Sequence, residues 1–151
     1  MKTVLKSLSL AAAFALAIQA IPANANGLGG ASMKATNGVD DTCSVYAYGW
    51  IANSCTTTKS FIVALPFSGA AGYRTFSVMA QGAATGDVSC RIAATTNAQN
   101  GFYSGSWVSL PAAGSPQTID LGTLFTDTKS SLYLLCNLAQ NAKVFSIQWD
   151  N

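Results

Sequence analysis

Short segments in which apolar and polar residues alternate recur along the chain from residue 43 onward. In "DVSCRIA", Val88, Cys90 and Ile92 fall on one face of an extended strand. Ser89 and Arg91 fall on the other face. Alternation at period two is typical of a half-buried β-strand, and the Gly, Asn, Ser and Pro clusters between the segments are typical of turns. Because no segment after residue 25 has helical periodicity, we predict an all-β fold, an antiparallel two-sheet sandwich of jelly-roll-like type.

The pattern divides the chain into three parts. Residues 26–42 are rich in Gly and Asn and lack periodicity, so we expect a flexible leader. Residues 43–151 form the predicted β-sandwich domain. Its strands, about eight and all short, are expected at residues 43–52, 60–66, 73–80, 87–94, 102–110, 117–121, 131–138 and 143–150.

Residues 1–25 have the form of a secretory signal peptide. Lys2 and Lys6 precede the apolar run "LSLAAAFALAI", and "ANA" ending at Ala25 is a small-x-small cleavage site. The apolar run is shorter than the roughly 20 residues of a membrane span, and no later run is long enough either. We therefore expect cleavage after Ala25, no membrane insertion afterwards, and a protein that is secreted or periplasmic.

The four cysteines are expected to form two disulfide bonds, because an exported chain meets an oxidising compartment. Four cysteines allow three pairings. Cys90 and Cys136 each lie on the apolar face of a strongly alternating strand, which favours a bond between them. That choice leaves Cys43 with Cys55. A zinc or redox site is disfavoured because the chain has neither a C-x-x-C motif nor a histidine.

The later strands resemble a family of small secreted bacterial β-sandwich proteins. The resemblance rests on "DVSCRI", the downstream "LYLLCNL" and the closing "VFSIQW", and it covers roughly residues 61–149. It departs at Ala64, where such proteins often have a cysteine before the Leu-Pro pair. The resemblance implies a β-sandwich fold and an exported location, and it implies no activity.

The composition excludes several functions. The chain contains no His and no Glu, which removes imidazole-based nucleophilic catalysis and most zinc-hydrolase sites. Eight Lys and Arg stand against six Asp, and two of the eight lie in the predicted signal peptide, so the rest is neutral and unsuited to nucleic acid. Asp120 and Asp127 would come together only if "LGTLFT" formed a turn. We therefore predict neither an enzyme, a metal site nor a cofactor.

Two groups of aromatic residues are the candidate ligand-binding residues. Tyr46, Tyr48 and Trp50 would share one face if 43–52 were a single strand. That face could point into the core, or it could point outward as a flat strip on which sugar rings stack. Tyr103 and Trp107 share a face of "FYSGSWV" by the same spacing. An exposed aromatic group of this kind usually binds something.

Three hypotheses for function follow. The first is a secreted, non-catalytic binding module whose partner is a glycan or cell-surface polymer. The second is a structural or self-associating matrix protein, suggested by the low charge and by apolar strands such as "LYLLCNL". The third, a periplasmic inhibitor of a host or rival enzyme, is compatible with a small disulfide-bonded sandwich.

Overall fold

A computed structural model describes residues 26–67, 69–96, 98 and 101–150. The predicted signal peptide lies outside these residues. Within them the chain forms twelve β-strands and two short 3-10 helices. All strand pairings are antiparallel, and the strands make two six-stranded sheets packed as a sandwich. The predicted fold class is therefore confirmed.

Sheet A contains the longest strands. Its strand order is β10-β6-β12-β4-β3, and β1 pairs with the second half of β12. Local register shifts interrupt the β10–β6 and β12–β6 pairings. The strands are β1 (Asn26–Gly29), β3 (Ser44–Ala47), β4 (Trp50–Asn53), β6 (Gly72–Gln81), β10 (Gln117–Thr126) and β12 (Lys143–Trp149).

Sheet B is built around β11, which pairs over its whole length with β5 on one side and β7 on the other. The order is β2-β5-β11-β7-β8, and β9 also pairs with β7. The strands are β2 (Lys34–Ala35), β5 (Lys59–Leu65), β7 (Val88–Thr95), β8 (Phe102–Ser104), β9 (Val108–Ser109) and β11 (Leu132–Leu138).

The core lies between the inner faces of the two sheets, as period-two alternation requires. In β11, buried residues alternate with partly exposed ones along the whole strand. Loop residues close the ends of the core, among them Met33 and Leu110, which are fully buried. The largest fully buried strand side chains are Phe61, Phe76, Ile51, Ile92, Ile119, Leu132, Leu134, Leu138 and Ile147.

Both predicted disulfides are confirmed. Cys90 and Cys136 are register partners on β7 and β11, fully buried on the inner face of sheet B, with their Cα atoms 4.1 Å apart. Cys43 and Cys55 flank the β3–β4 hairpin, and their Cα atoms are 5.1 Å apart. One bond therefore joins two core strands, and the other closes a local loop.

The structure places strands in all eight predicted positions but divides two of them. Segment 43–52 is a hairpin of β3 and β4, because Tyr48 and Gly49 form a turn. Segment 102–110 is divided into β8 and β9 by residues 105–107. The strand predicted at 117–121 continues to Thr126, because the bulge at Asp120–Gly122 absorbs the break in its alternation.

Residues 26–42 carry regular structure, in contrast to the leader without periodicity that their composition suggested. They contribute β1, β2 and two 3-10 helices, Gly30–Ser32 and Gly38–Cys43. The glycines serve close packing here: a Cβ on Gly30 would lie 1.9 Å from the backbone oxygen of Val144. A Cβ on Gly29 would lie 2.9 Å from the backbone oxygen of Gly49. Composition alone does not distinguish glycines that allow close approach from glycines of a flexible segment.

Candidate functional site

The first aromatic group is carried by a tight hairpin. Tyr48 and Gly49 have φ angles of 46° and 87°. Positive φ at both residues of a two-residue loop is the type I′ turn, whose twist matches that of the paired strands. Tyr48 projects from the tip with its side chain fully exposed.

Tyr46 and Trp50 lie on opposite faces of this hairpin. Tyr46 is the register partner of the buried Ile51, but it lies on the edge strand of sheet A and is 48% exposed. Trp50 is the partner of Ala47 on the outer face, where it is half-buried. The Lys143 ammonium nitrogen is 4.9 Å from the Trp50 ring centroid. The three rings therefore form neither a strip nor a shared piece of core.

The second aromatic group is also separated. Three residues, 105–107, stand opposite two residues of β7, so the side chains after this bulge change face. Tyr103, before the bulge, packs against the core, and its hydroxyl is 3.4 Å from the Ser130 hydroxyl. Trp107, after it, lies outside and is 42% exposed. The shared face predicted for Tyr103 and Trp107 is therefore wrong.

Trp107 lies against an arginine of sheet B. The Arg91 guanidinium carbon is 4.7 Å from the centroid of the Trp107 ring. Arg91 projects from the outer face of β7, since its neighbours Cys90 and Ile92 are buried on the inner face. The guanidinium makes a cation–π contact with the indole, while 42% of the Trp107 side chain stays exposed.

Strand register defines the surface next to Trp107. Arg91 pairs with Leu135, Leu135 with Ile62, and Ile62 with Lys34, so these four side chains form a row across four strands. Tyr133 lies two residues before Leu135 on the same outer face of β11. We call this surface the Trp107 face and define it by Trp107, Arg91, Leu135, Ile62, Lys34 and Tyr133.

Polar groups and a groove border this face. One row further along the sheet, the Ser60 hydroxyl donates a 2.6 Å hydrogen bond to the Asn137 amide oxygen. At the opposite corner is a groove of about 510 Å³, whose lining includes Lys34, Ile62 and Tyr133. The Trp107 face thus combines an aromatic ring at one end, an apolar middle, and hydroxyl, amide and ammonium groups around it.

The aspartates are dispersed, and four of the six accept hydrogen bonds from backbone N–H groups. The Asp120 carboxylate accepts from the Gly122 N–H at 2.8 Å, and that of Asp127 from the Thr128 N–H at 2.8 Å. Residues 120–126 continue β10 instead of turning, so Asp120 and Asp127 are roughly 20 Å apart along the strand. Among the described residues no three Asp or Cys side chains form a group able to hold a metal ion. Nor does any helix within the described ranges have the length and apolarity needed to cross a membrane.

The sequence patterns did not identify several residues that the structure places in exposed aromatic surfaces. Alternation placed Arg91 on the face opposite Cys90, but nothing in the sequence linked Arg91, Tyr133 or Leu135 to Trp107. Tyr73 and Phe125 are exposed register partners on β6 and β10. Since they are distant in sequence, only the strand pairing reveals their contact.

Comparison with known proteins shows similarity in fold. No family model matches the chain, and no curated protein sequence matches it. The C-terminal CBM6 of a marine laminarinase from Zobellia galactanivorans is 11% identical with a TM-score of 0.55, over 85% of this chain and 100% of that chain. A GH26-CBM35 β-(1,4)-mannanase from Podospora anserina is 10% identical with a TM-score of 0.53, over 83% of this chain and 27% of the mannanase. This chain therefore shares its β-sandwich fold with a carbohydrate-binding module.

Proposed function

We propose that this chain is an exported, non-catalytic glycan-binding module that contacts its ligand through the Trp107 face. The fold shared with a carbohydrate-binding module supports this class of function. The observation that carries the proposal is the exposed indole of Trp107, held at 4.7 Å by the Arg91 guanidinium.

A braced indole suits the binding of a pyranose ring. One side of a pyranose presents C–H groups and can stack on a flat aromatic surface, while its hydroxyls reach polar neighbours. The cation–π contact restrains Trp107 before the ligand arrives, so less side-chain entropy is lost on binding. Exposure of such a ring without a ligand is unfavourable, which is why exposed apolar patches usually mark binding sites.

The dimensions and charges of the face fit a short stretch of polysaccharide. Neighbouring strands are about 4.8 Å apart, so the row from Arg91 to Lys34 spans roughly 14 Å. Leu135 and Ile62 give the row an apolar floor, and Tyr133 adds a second ring beside it. The two charged residues of the face, Arg91 and Lys34, are both basic, so it would accept neutral glycans and glycans with carboxylate groups.

The absence of catalysis is part of the proposal. The chain has no His or Glu, and a glycosidase needs two carboxyl groups roughly 5–10 Å apart across the scissile bond. Four of the six Asp side chains accept hydrogen bonds from backbone N–H groups. A fifth, Asp40, pairs with Lys59 at 2.7 Å. These roles favour structural use of the carboxylates over catalytic use.

The test is a binding screen with matched variants. We would titrate the folded protein with cell-wall and extracellular polysaccharides and follow tryptophan fluorescence and calorimetric heat. Trp107→Ala should weaken binding tenfold or more, as loss of a central aromatic contact does (roughly 1.4 kcal/mol or more). Trp107→Phe keeps a ring, so it should retain calorimetric binding while the fluorescence response falls. Val39→Ala, which trims another exposed apolar side chain, should behave as wild type.

Two results would contradict the proposal. If the folded protein bound no member of a broad panel, the glycan-binding function would fail. If a glycan bound and Trp107→Ala left both its affinity and the number of bound glycans unchanged, the function would stand but the Trp107 face would be the wrong surface. Tyr46 and Tyr48 on the β3–β4 hairpin would then be the next candidates, because both are exposed.

Self-assembly through strand edges has less support. The long edge strand β10 contains a bulge at Asp120–Gly122, and the Asp120 carboxylate binds the Gly122 N–H there. Bulges and charged residues on edge strands are features that oppose pairing with another chain. Light scattering at high protein concentration tests this alternative, since a strict monomer would disfavour it.

A further inference from the structure

A second exposed aromatic surface lies on the outer face of sheet A. Tyr73 and Phe125 are register partners on β6 and on the edge strand β10. Their ring centroids are 5.4 Å apart at an interplanar angle of 73°, an edge-to-face contact. Tyr73 is 73% exposed and Phe125 is 45% exposed. Two large rings thus contact each other, while most of Tyr73 and nearly half of Phe125 face solvent.

The stability of the sheet does not explain this exposure. A cross-strand aromatic pair contributes about 0.2–1 kcal/mol relative to a pair of alanines. Neither ring belongs to the buried core, since both alternate with inward-facing residues of their strands. An exposed, mutually braced pair of rings is instead what a stacking surface requires.

A groove with polar side chains among its lining residues lies next to the rings on the same face. It has a volume of about 190 Å³, and its lining includes Thr75, Ser77, Gln148 and Asp150. Thr75 follows Tyr73 by two residues on β6, so the groove begins roughly 7 Å from that ring. The Asp150 carboxylate accepts a 2.6 Å hydrogen bond from the Thr75 N–H, which fixes its position at the rim. Hydroxyl, amide and carboxylate groups beside a ring can hydrogen-bond sugar hydroxyls while the ring stacks.

The two aromatic surfaces point away from each other. The Trp107 face is the outer face of sheet B, and Tyr73 and Phe125 are on the outer face of sheet A. Packed sheets lie about 10 Å apart, so the body of the sandwich separates the two surfaces. A straight glycan segment on one surface cannot touch the other.

We infer that Tyr73, Phe125 and the adjoining groove form a second glycan-binding surface, so that one molecule binds two glycan chains and crosslinks them. This inference rests on the proposed function of the Trp107 face. Two sites on opposite faces would let one molecule hold two glycan chains at once, which a single site cannot do.

The inference is tested by counting the binding sites for a short oligosaccharide, taken from the glycan that binds best. Calorimetry should give two sites per wild-type molecule, one for Trp107→Ala and one for the double variant Tyr73→Ala/Phe125→Ala. Gln148→Ala, which alters the groove and leaves the rings, should weaken the second site severalfold. Met79→Ala, which trims another exposed apolar side chain of the same face, should leave two sites. Near-ultraviolet circular dichroism would show that each variant is folded.

Light scattering with the full-length polysaccharide gives an independent reading. Wild-type protein should raise the scattering at intermediate ratios of protein to glycan, whereas each single-surface variant should bind without crosslinking. One site in the wild type, with the double variant unchanged, would overturn the second surface and leave the Trp107 face intact. Absence of binding to any glycan would overturn both proposals.

Discussion

The β7–β11 pair of sheet B and the β3–β4 hairpin of sheet A are each associated with a disulfide bond and lie near aromatic candidates, yet they are built differently. β7 and β11 are register partners over seven residue pairs, and β11 has a second long neighbour in β5. β3 and β4 share four pairs, and β3 is an edge strand. Cys90 and Cys136 lie inside their pair, whereas Cys43 and Cys55 stand outside the hairpin.

Alternation predicts the direction of a side chain where the strand keeps one register along its length. A strand held on both sides keeps its register, so the period-two pattern of "LYLLCNL" gave the correct faces. In the hairpin, two turn residues reverse the chain, and the period restarts after them. The same rule therefore succeeded for Cys136 and failed for Tyr46, Tyr48 and Trp50.

The largest expected effects come from the two disulfides. By loop-closure entropy, Cys90→Ala/Cys136→Ala should lower the free energy of unfolding by about 4 kcal/mol, and Cys43→Ala/Cys55→Ala by about 3 kcal/mol. The first variant also leaves a cavity in the core, which widens the difference. Chemical denaturation of both double variants measures this difference in unfolding free energy. A larger loss for Cys43→Ala/Cys55→Ala would mean that the hairpin, and not the β7–β11 pair, limits stability.

The next effect concerns Asn53, which ties the hairpin to sheet B. Its buried amide donates 2.8 Å hydrogen bonds to the carbonyl oxygens of Leu138 and Thr57 and accepts a 3.0 Å bond from the Cys55 N–H. Asn53→Ala leaves buried backbone groups without partners, so we expect a loss of about 2–4 kcal/mol in unfolding free energy.

The control for Asn53 lies in the same loop. Thr56 is exposed, and Thr56→Ala should change the unfolding free energy by less than about 0.5 kcal/mol. Equal effects of the two substitutions would show that the buried amide does not anchor the hairpin.

A smaller effect, of opposite sign, is expected at the hairpin tip. Tyrosine is an unusual residue at a φ of 46°, whereas asparagine adopts this region readily and is favoured in type I′ turns. Tyr48→Asn should therefore raise the unfolding free energy by about 0.5–1 kcal/mol. Tyr46→Asn, in the adjoining strand, should give no gain, because asparagine is depleted in strands. A loss of stability in Tyr48→Asn would show that the ring makes a stabilising contact.

Much of the fold could be predicted from the sequence, because local patterns determine it. Alternation and turn clusters located the strands, and the facing of Cys90 and Cys136 identified their bond. The hairpin was missed because "YG" is a weak turn signal compared with Asn-Gly or Asp-Gly. The bulge at 105–107 was missed because an extra residue leaves no mark in the spacing of "FYSGSWV".

Less of the candidate site could be predicted, since it depends on contacts between distant segments. Trp107 was identified as a candidate, but its partner Arg91 comes from another strand. Tyr73 and Phe125 were not identified, because each is a single aromatic residue in an ordinary strand pattern. Which exposed rings share a surface is set by the strand order of the sheets, and one-dimensional periodicity does not contain that order.

Chemical-shift mapping by NMR with a bound oligosaccharide tests the central claim most directly. Isotope-labelled protein would be titrated with the oligosaccharide that binds best, and the shifted signals would be placed on the structure. We predict the largest shifts at the Trp107 indole N–H and around Arg91, Leu135 and Tyr133. Shifts confined to Tyr46 and Tyr48 on the β3–β4 hairpin, with the Trp107 signal unchanged, would contradict the assignment of the Trp107 face as the glycan-binding surface.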